Sequence, residues 1–273
     1  DVVITHVRSI GNIEPHSVAF YRGNNKDYNV ELLSVDNLII TSKSYNNFGK
    51  KNCNYIFTNT PDLAFCIASE LFEIQEVASI HPTALVSKSA QIDNNVAIDA
   101  YTSIGKNVVI GKNVSIGTSC FIENAKIGDN VTINSGVRIG TSGLGSHKDK
   151  NGLWHEFPHV GLVLIGEGCV IQDNSVINRG TLNDTCIDNN VRVGPLCWIG
   201  HGVKIGASCF IAQSVTIAGS VEIGDEAIIW SKVAIRDGVT IGREVVVGMG
   251  SIVVGSVPHK ELWLGSTTKF KGK

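Results

Sequence analysis

Along most of the chain an aliphatic residue returns at every sixth position. From Ile80 the sequence falls into sixes: IHPTAL, VSKSAQ, IDNNVA, IDAYTS, IGKNVV, IGKNVS, IGTSCF. The same phrasing resumes at Ile187 and continues through IDNNVR, VGPLCW, IGHGVK, IGASCF, IAQSVT, IAGSVE and IGDEAI to the region of Ile252. Each unit opens on a branched residue and carries a small one in fifth place. Gly, Asp or Asn crowds the positions between. Helical spacing of three and four does not generate this period. A short strand followed by a tight corner does: the branched residue points inward, and Gly or Asn permits the bend. Three such walls close one triangular coil of 18 residues, and stacked coils pair in parallel, like residue on like.

Cys120, Cys169, Cys197 and Cys209 all occupy the small fifth position. There a Cys acts as a small buried hydrophobe, so a cysteine nucleophile is not expected. The rhythm fails in three places. One residue is lost after Ile122, the pattern breaks at Ile139, and it slips across 177-INRGTLNDTC-186. The segment 140-GTSGLGSHKDKNGLWHEFPHVGLVL-164 is polar and Gly-rich, with Trp154 and Phe157, and cannot continue a wall. Long insertions of this kind usually carry function, so a lid or cleft wall is expected.

Residues 1–78 do not follow the period. VVIT and NLIIT look like strands. In 60-TPDLAFCIASELF-72, Thr60 suits an N-cap and Pro61 the first helical position, with Leu63, Ile67 and Leu71 at helical spacing. The expected organisation is a small α/β head over 1–78, capping or nucleotide-contacting. A parallel β-helix over 79–257 with the inserted loop 140–164 follows, then a tail over 258–273. The fold class is mainly β.

Composition narrows the function. Hydrophobic residues make up 43% and charged residues 18%, which excludes a disordered or collagen-like chain. The net charge of -2, without a Lys/Arg cluster, argues against nucleic-acid binding. No apolar run suggests a membrane span, and DVVITHVRSI does not read as a secretory signal. Seven cysteines without a CxxC pair fit a cytoplasmic protein.

The stretch 199-IGHGVKIG-206 places His201 where the neighbouring units carry Lys or Arg. On pattern alone it reads equally as a solvated wall residue. His81 reads as structural, and His147, His155 and His159 sit in the loop, where His159 is a candidate substrate contact. Trp198, outside the inward positions and next to the His201 unit, is a candidate pocket residue. A zinc site would need three converging histidines. The regular coils after the loop offer only His201, so no metal is expected. A non-catalytic solenoid would leave loop and head unexplained.

The period resembles the hexapeptide-repeat family, and that resemblance implies a left-handed β-helix and a homotrimer with sites between adjacent prisms. Three stretches go further: 139-IGTSGLG-145, 177-INRGTLNDT-185 and 199-IGHGVKIG-206. Their order and spacing resemble the UDP-3-O-acylglucosamine N-acyltransferases of lipid A synthesis. VVITHV, VAFYRGNNKDY and NTPDLAFCIASEL resemble that family's N-terminal domain. The resemblance implies that His201 is the general base and that the backbone N–H of Gly219 serves the oxyanion. Eighteen residues separate the two, which independently puts them one coil apart on one edge. It also implies that Phe20 and Tyr28 hold the base of a nucleotide and that Asn178 belongs to the substrate site. Arg179, next to it, reads either as a phosphate ligand of that site or as a bridge between subunits.

The chain departs from the family at Gly194, where a carboxylate is expected, at Asn178, where an Asp is expected, and at 235-IRDGV-239, where a second His is expected. Its tail lacks the family's long helices and is more like that of sugar acetyltransferases that use coenzyme A. One coil before His201 falls Asn183, beside Asp184, and Asp184 is the expected orienting group. The expectation is transfer of an acyl group to the amine of a nucleotide-linked amino sugar for a surface polysaccharide. The donor is acyl-CoA or an acyl carrier protein thioester, with no tightly bound cofactor. The alternative is the lipid A N-acyltransferase itself.

Overall fold

The structure, a computed structural model, describes residues 3–21, 33–42, 44, 53–72 and 78–265. It divides into two compact units, Asp1–Gln75 and Glu76–Lys273.

In the first unit, strands His6–Val7, Ser17–Tyr21, Leu38–Thr41 and Asn54–Phe57 form one parallel sheet in that order. Ala19 and Ile39 are fully buried in it. The helix Pro61–Glu70 begins where Pro61 is expected to start it, but Thr60 makes no side-chain cap. Its carbonyl accepts the Ala64 N–H at 3.0 Å instead. Leu63, Ile67 and Leu71 are exposed. The sheet-facing contact comes from Phe65, whose ring centroid lies 4.5 Å from that of Phe20.

The second unit is a parallel β-solenoid built of hexapeptide repeats. Among the described residues its strands form three parallel sheets of nine, nine and eight strands. On the second wall Ile pairs with Ile: Ile104 with Ile122, Ile199 with Ile217, Ile217 with Ile235. The inward Ile and Val residues are buried in one continuous core. Each fully buried side chain of this size contributes about 1.5–3 kcal/mol, so the wall residues hold the coils in register. Among the described residues several corner positions are left-handed asparagines, Asn95, Asn113 and Asn130 among them with φ of 56° to 58°. Asparagine tolerates that conformation. Their amides also hydrogen-bond up the stack, Asn95 to Asn113 and Asn113 to Asn130, both at 2.9 Å.

The four buried cysteines send their thiols to a carbonyl of the next coil: Cys120 to Asn134, Cys169 to Asp188 and Cys197 to Ala212 at 3.0 Å, Cys209 to Gly224 at 3.1 Å. Burial pushes all four thiols up, that of Cys209 to about 11. They are structural thiols.

Coil length varies where the repeat fails. Ile116 pairs with Ile133, one residue short of a full coil. Ile127 pairs with Ile165 across the loop, and Ile177 pairs with Ile199 across a coil of 22 residues. The last strand, Leu262–Trp263, pairs with Val246–Val247 and so extends the first of these sheets beyond residue 257.

Candidate active site

His201 lies at the corner between strands Trp198–Ile199 and Lys204–Ile205. The register of Ile199, Ile217 and Ile235 stacks His201, Gly219 and Asp237 at the same corner of three successive coils. The imidazole folds over Gly219. A Cβ built on Gly219 would stand 2.5 Å from His201 Cε1, 2.6 Å from Nε2 and 2.7 Å from Asp237 Oδ1. Only the missing side chain lets the ring and the carboxylate come this close to the backbone. Among the described residues the Gly219 N–H has no hydrogen-bond partner. An imidazole nitrogen and an unengaged N–H therefore lie side by side at one corner, an arrangement suited to proton abstraction beside a developing oxyanion.

The other ring nitrogen, His201 Nδ1, sits 3.2 Å from Thr181 Oγ1. Thr181 reaches it because the coil is longer here and residues 179–184 bulge outward. The bulge holds the returning end of the loop. Val160 N–H donates to the Thr181 carbonyl at 2.8 Å and Gly161 N–H to that of Gly180 at 3.0 Å. Arg179 donates from Nε to the Gly161 carbonyl at 2.6 Å and from a terminal nitrogen to that of Val160 at 2.9 Å. Asp184 accepts the Leu162 N–H at 2.7 Å. Asp184 is thus engaged by backbone, and the contact to His201 comes from Thr181 in its place. Arg179 likewise fastens the loop rather than facing the opening.

This clamp sets His159 against His201, ring centroids 5.3 Å apart in an edge-on arrangement. Gly143, from the outgoing end of the loop, lies against both rings; a Cβ there would stand 3.1 Å from His159 Nε2 and 3.1 Å from His201 Cδ2. Asn178 holds that outgoing end, donating to the Thr141 hydroxyl and the Ser142 carbonyl, each at 3.1 Å. His159 Nε2 and Asn178 Oδ1 are buried without a partner. Beside His201 a cavity of about 290 Å³ is lined by Thr181, Leu182, Asn183, Lys204 and Glu222 among others. It shares Lys204 and Glu222 with a groove of about 760 Å³ along the third wall.

Trp198 is half-buried on the second wall between Val176 and Thr216, and it does not line that cavity. Phe20 stands in the sheet of the first unit, packed on Phe65. Tyr28 lies outside the described residues. Sequence reasoning missed Thr181, Gly143 and Asp237. Asp237 was within reach, two coils of 18 beyond His201. Thr181 was not, because the slip between Ile177 and Ile187 removes the count that would have placed it.

Burial pushes His159 below the ordinary histidine value, and the neighbouring His201 adds to that shift. The folded value lies below the unfolded one, so as pH falls the unfolded chain takes up the proton first. Stability is expected to decline as pH drops below about 6.5. A His159→Gln variant should lose part of that decline, read as a smaller fall in Tm between pH 7.5 and pH 5.5.

Comparison with known proteins supports the repeat and the chemistry class. The family model "GMPPB C-terminal domain" matches residues 74–184. "Hexapeptide repeat of succinyl-transferase" matches residues 221–254. A UDP-3-O-acylglucosamine N-acyltransferase of Coxiella burnetii is 43% identical over 63 residues, 23% of this chain and 18% of that protein. One from Rickettsia akari is 42% identical over 64 residues, with the same coverage. The match thus spans less than a fifth of these relatives. Among solved structures, a UDP-N-acetylglucosamine acyltransferase from Bacteroides fragilis aligns with TM-score 0.60 and 29% identity, covering 66% of this chain and 69% of that one. One from Acinetobacter baumannii aligns with TM-score 0.62 and 25% identity, covering 68% and 71%. These proteins are named acyltransferases, and the chain resembles them.

Proposed function

We propose that this hexapeptide-repeat chain transfers an acyl group from a thioester to the amine of a nucleotide-linked amino sugar. The observation that carries the reading is the imidazole of His201 folded over the bare α-carbon of Gly219, with the Gly219 N–H unengaged. His201 Nε2 takes the proton that the amine loses as it attacks the thioester carbonyl. General-base help of this kind contributes about 10²–10⁴-fold. The Gly219 N–H donates to the oxygen as it gains charge, an effect of about 3 kcal/mol per donor. The imidazolium then protonates the departing thiolate. The groove along the third wall gives a thioester's extended arm a path to this corner. Acyl-CoA is the expected donor, a surface polysaccharide precursor the expected acceptor, and a homotrimer the expected assembly. No described helix is long and apolar enough to cross a membrane.

A second reading, the lipid A N-acyltransferase using acyl carrier protein, draws on the 43% identity to the Coxiella enzyme. One assay separates the two. The protein is incubated with acetyl-CoA, 3-hydroxyacyl-CoA or 3-hydroxyacyl carrier protein, and with UDP- and dTDP-linked 2-, 3- and 4-amino sugars and UDP-3-O-acylglucosamine. Products are identified by mass. Amide formation from a coenzyme A thioester on a simple amino sugar is expected. Amide formation only from the carrier-protein thioester on UDP-3-O-acylglucosamine would favour the second reading. No amide with any pair would overturn both.

A further inference from the structure

A second polar group flanks Gly219. Asp237 Oδ1 and His201 Nε2 come close to the same point, 2.7 Å and 2.6 Å from the place a Gly219 Cβ would occupy. Among the described residues neither a hydrogen bond nor an ion pair joins them, and the imidazole contact is made through Nδ1 to Thr181. Asp237 therefore does not orient the ring. Its side chain is exposed at the corner.

We infer that Asp237 is the specificity-determining contact for a cationic acceptor: its carboxylate and His201 Nε2 together seat an amine nitrogen over Gly219. This rests on the transferase reading above. A primary amine near neutral pH arrives largely as an ammonium, which carries three donors and a positive charge. A carboxylate satisfies both, and charge-assisted hydrogen bonds are about twice as strong as neutral ones. A sugar hydroxyl offers one donor and no charge, so it gains much less from the same contact. The site would favour N-acylation over O-acylation.

The step balances in protons and bonds. The ammonium, held by Asp237, releases one proton to solvent. The neutral amine, still hydrogen-bonded to the carboxylate, forms a bond from nitrogen to the thioester carbonyl carbon. Its second proton passes to His201 Nε2. The carbon–sulfur bond breaks as the tetrahedral adduct collapses, and the imidazolium returns that proton to the thiolate. Amide, free thiol and one solvent proton result.

The test compares wild type, Asp237→Asn and Asp237→Glu by steady-state kinetics. The acceptors are the amino sugar nucleotide acylated in the panel above and its counterpart with a hydroxyl in place of the amine. Asp237→Asn is expected to raise KM for the amine by about tenfold and leave turnover of the hydroxyl compound unchanged. Asp237→Glu should recover part of the loss, and all three proteins should melt alike. An unchanged KM for the amine in Asp237→Asn would overturn this inference and leave the transferase reading standing. An equal loss on amine and hydroxyl acceptors would also overturn it, since charge would then play no part. Wild type acylating no acceptor of the panel would remove the transferase reading itself.

Discussion

His201→Ala should lower turnover by about 10²–10⁴-fold while KM for the acceptor changes little. The expectation follows from how the imidazole is held. Nδ1 rests against Thr181 and the ring lies over Gly219. Its Nε2 thus borders the space where an attacking amine must sit. The fold does not depend on it: His201 is a half-buried corner residue, and the inward positions of its coil are Ile199, Val203 and Ile205. Far-UV circular dichroism and Tm should therefore match wild type. His201→Gln, which keeps a polar side chain but no basic nitrogen, should be equally slow. Near-native turnover in either variant would refute the base assignment.

Gly219→Ala should have an effect of similar size for a different reason. Its backbone is not in the left-handed region, so alanine adds no conformational strain. The new methyl would instead stand 2.5 Å from His201 Cε1 and 2.7 Å from Asp237 Oδ1, closer than such atoms approach. The ring must move off the position it now holds. Misplacing a catalytic group by about 1 Å costs on the order of 10²-fold. Turnover should fall by that factor with Tm within a few degrees. A variant that turns over normally would place the reaction elsewhere.

Much of the scaffold was readable beforehand because a solenoid repeats its contacts. Ile every sixth residue marks buried wall positions such as Ile122, Ile199 and Ile217. The same count links His201 to Gly219. The count fails where coils change length. The slip at Ile177–Ile187 was visible, but nothing in the sequence says which atoms the bulge aims where. Asp184 was the natural partner for His201 by charge, yet its carboxylate accepts the Leu162 N–H, and a neutral hydroxyl from Thr181 takes the place. Arg179 read as a phosphate ligand or a subunit bridge, and its guanidinium holds two loop carbonyls. In the first unit, Leu63, Ile67 and Leu71 correctly marked a helix, but the packed ring is Phe65.

The 22-residue coil between Ile177 and Ile199 has an implication for how such a protein diversifies. Each turn of the stack touches only the turns above and below. Lengthening or trimming the bulge at 179–184 would leave the isoleucine ladder intact and release the ends of the insertion that it clasps. Mutation could thus retune which molecules enter the corner without endangering the column beneath. Selection acting on substrate choice and selection acting on solubility would fall on separate stretches of one gene.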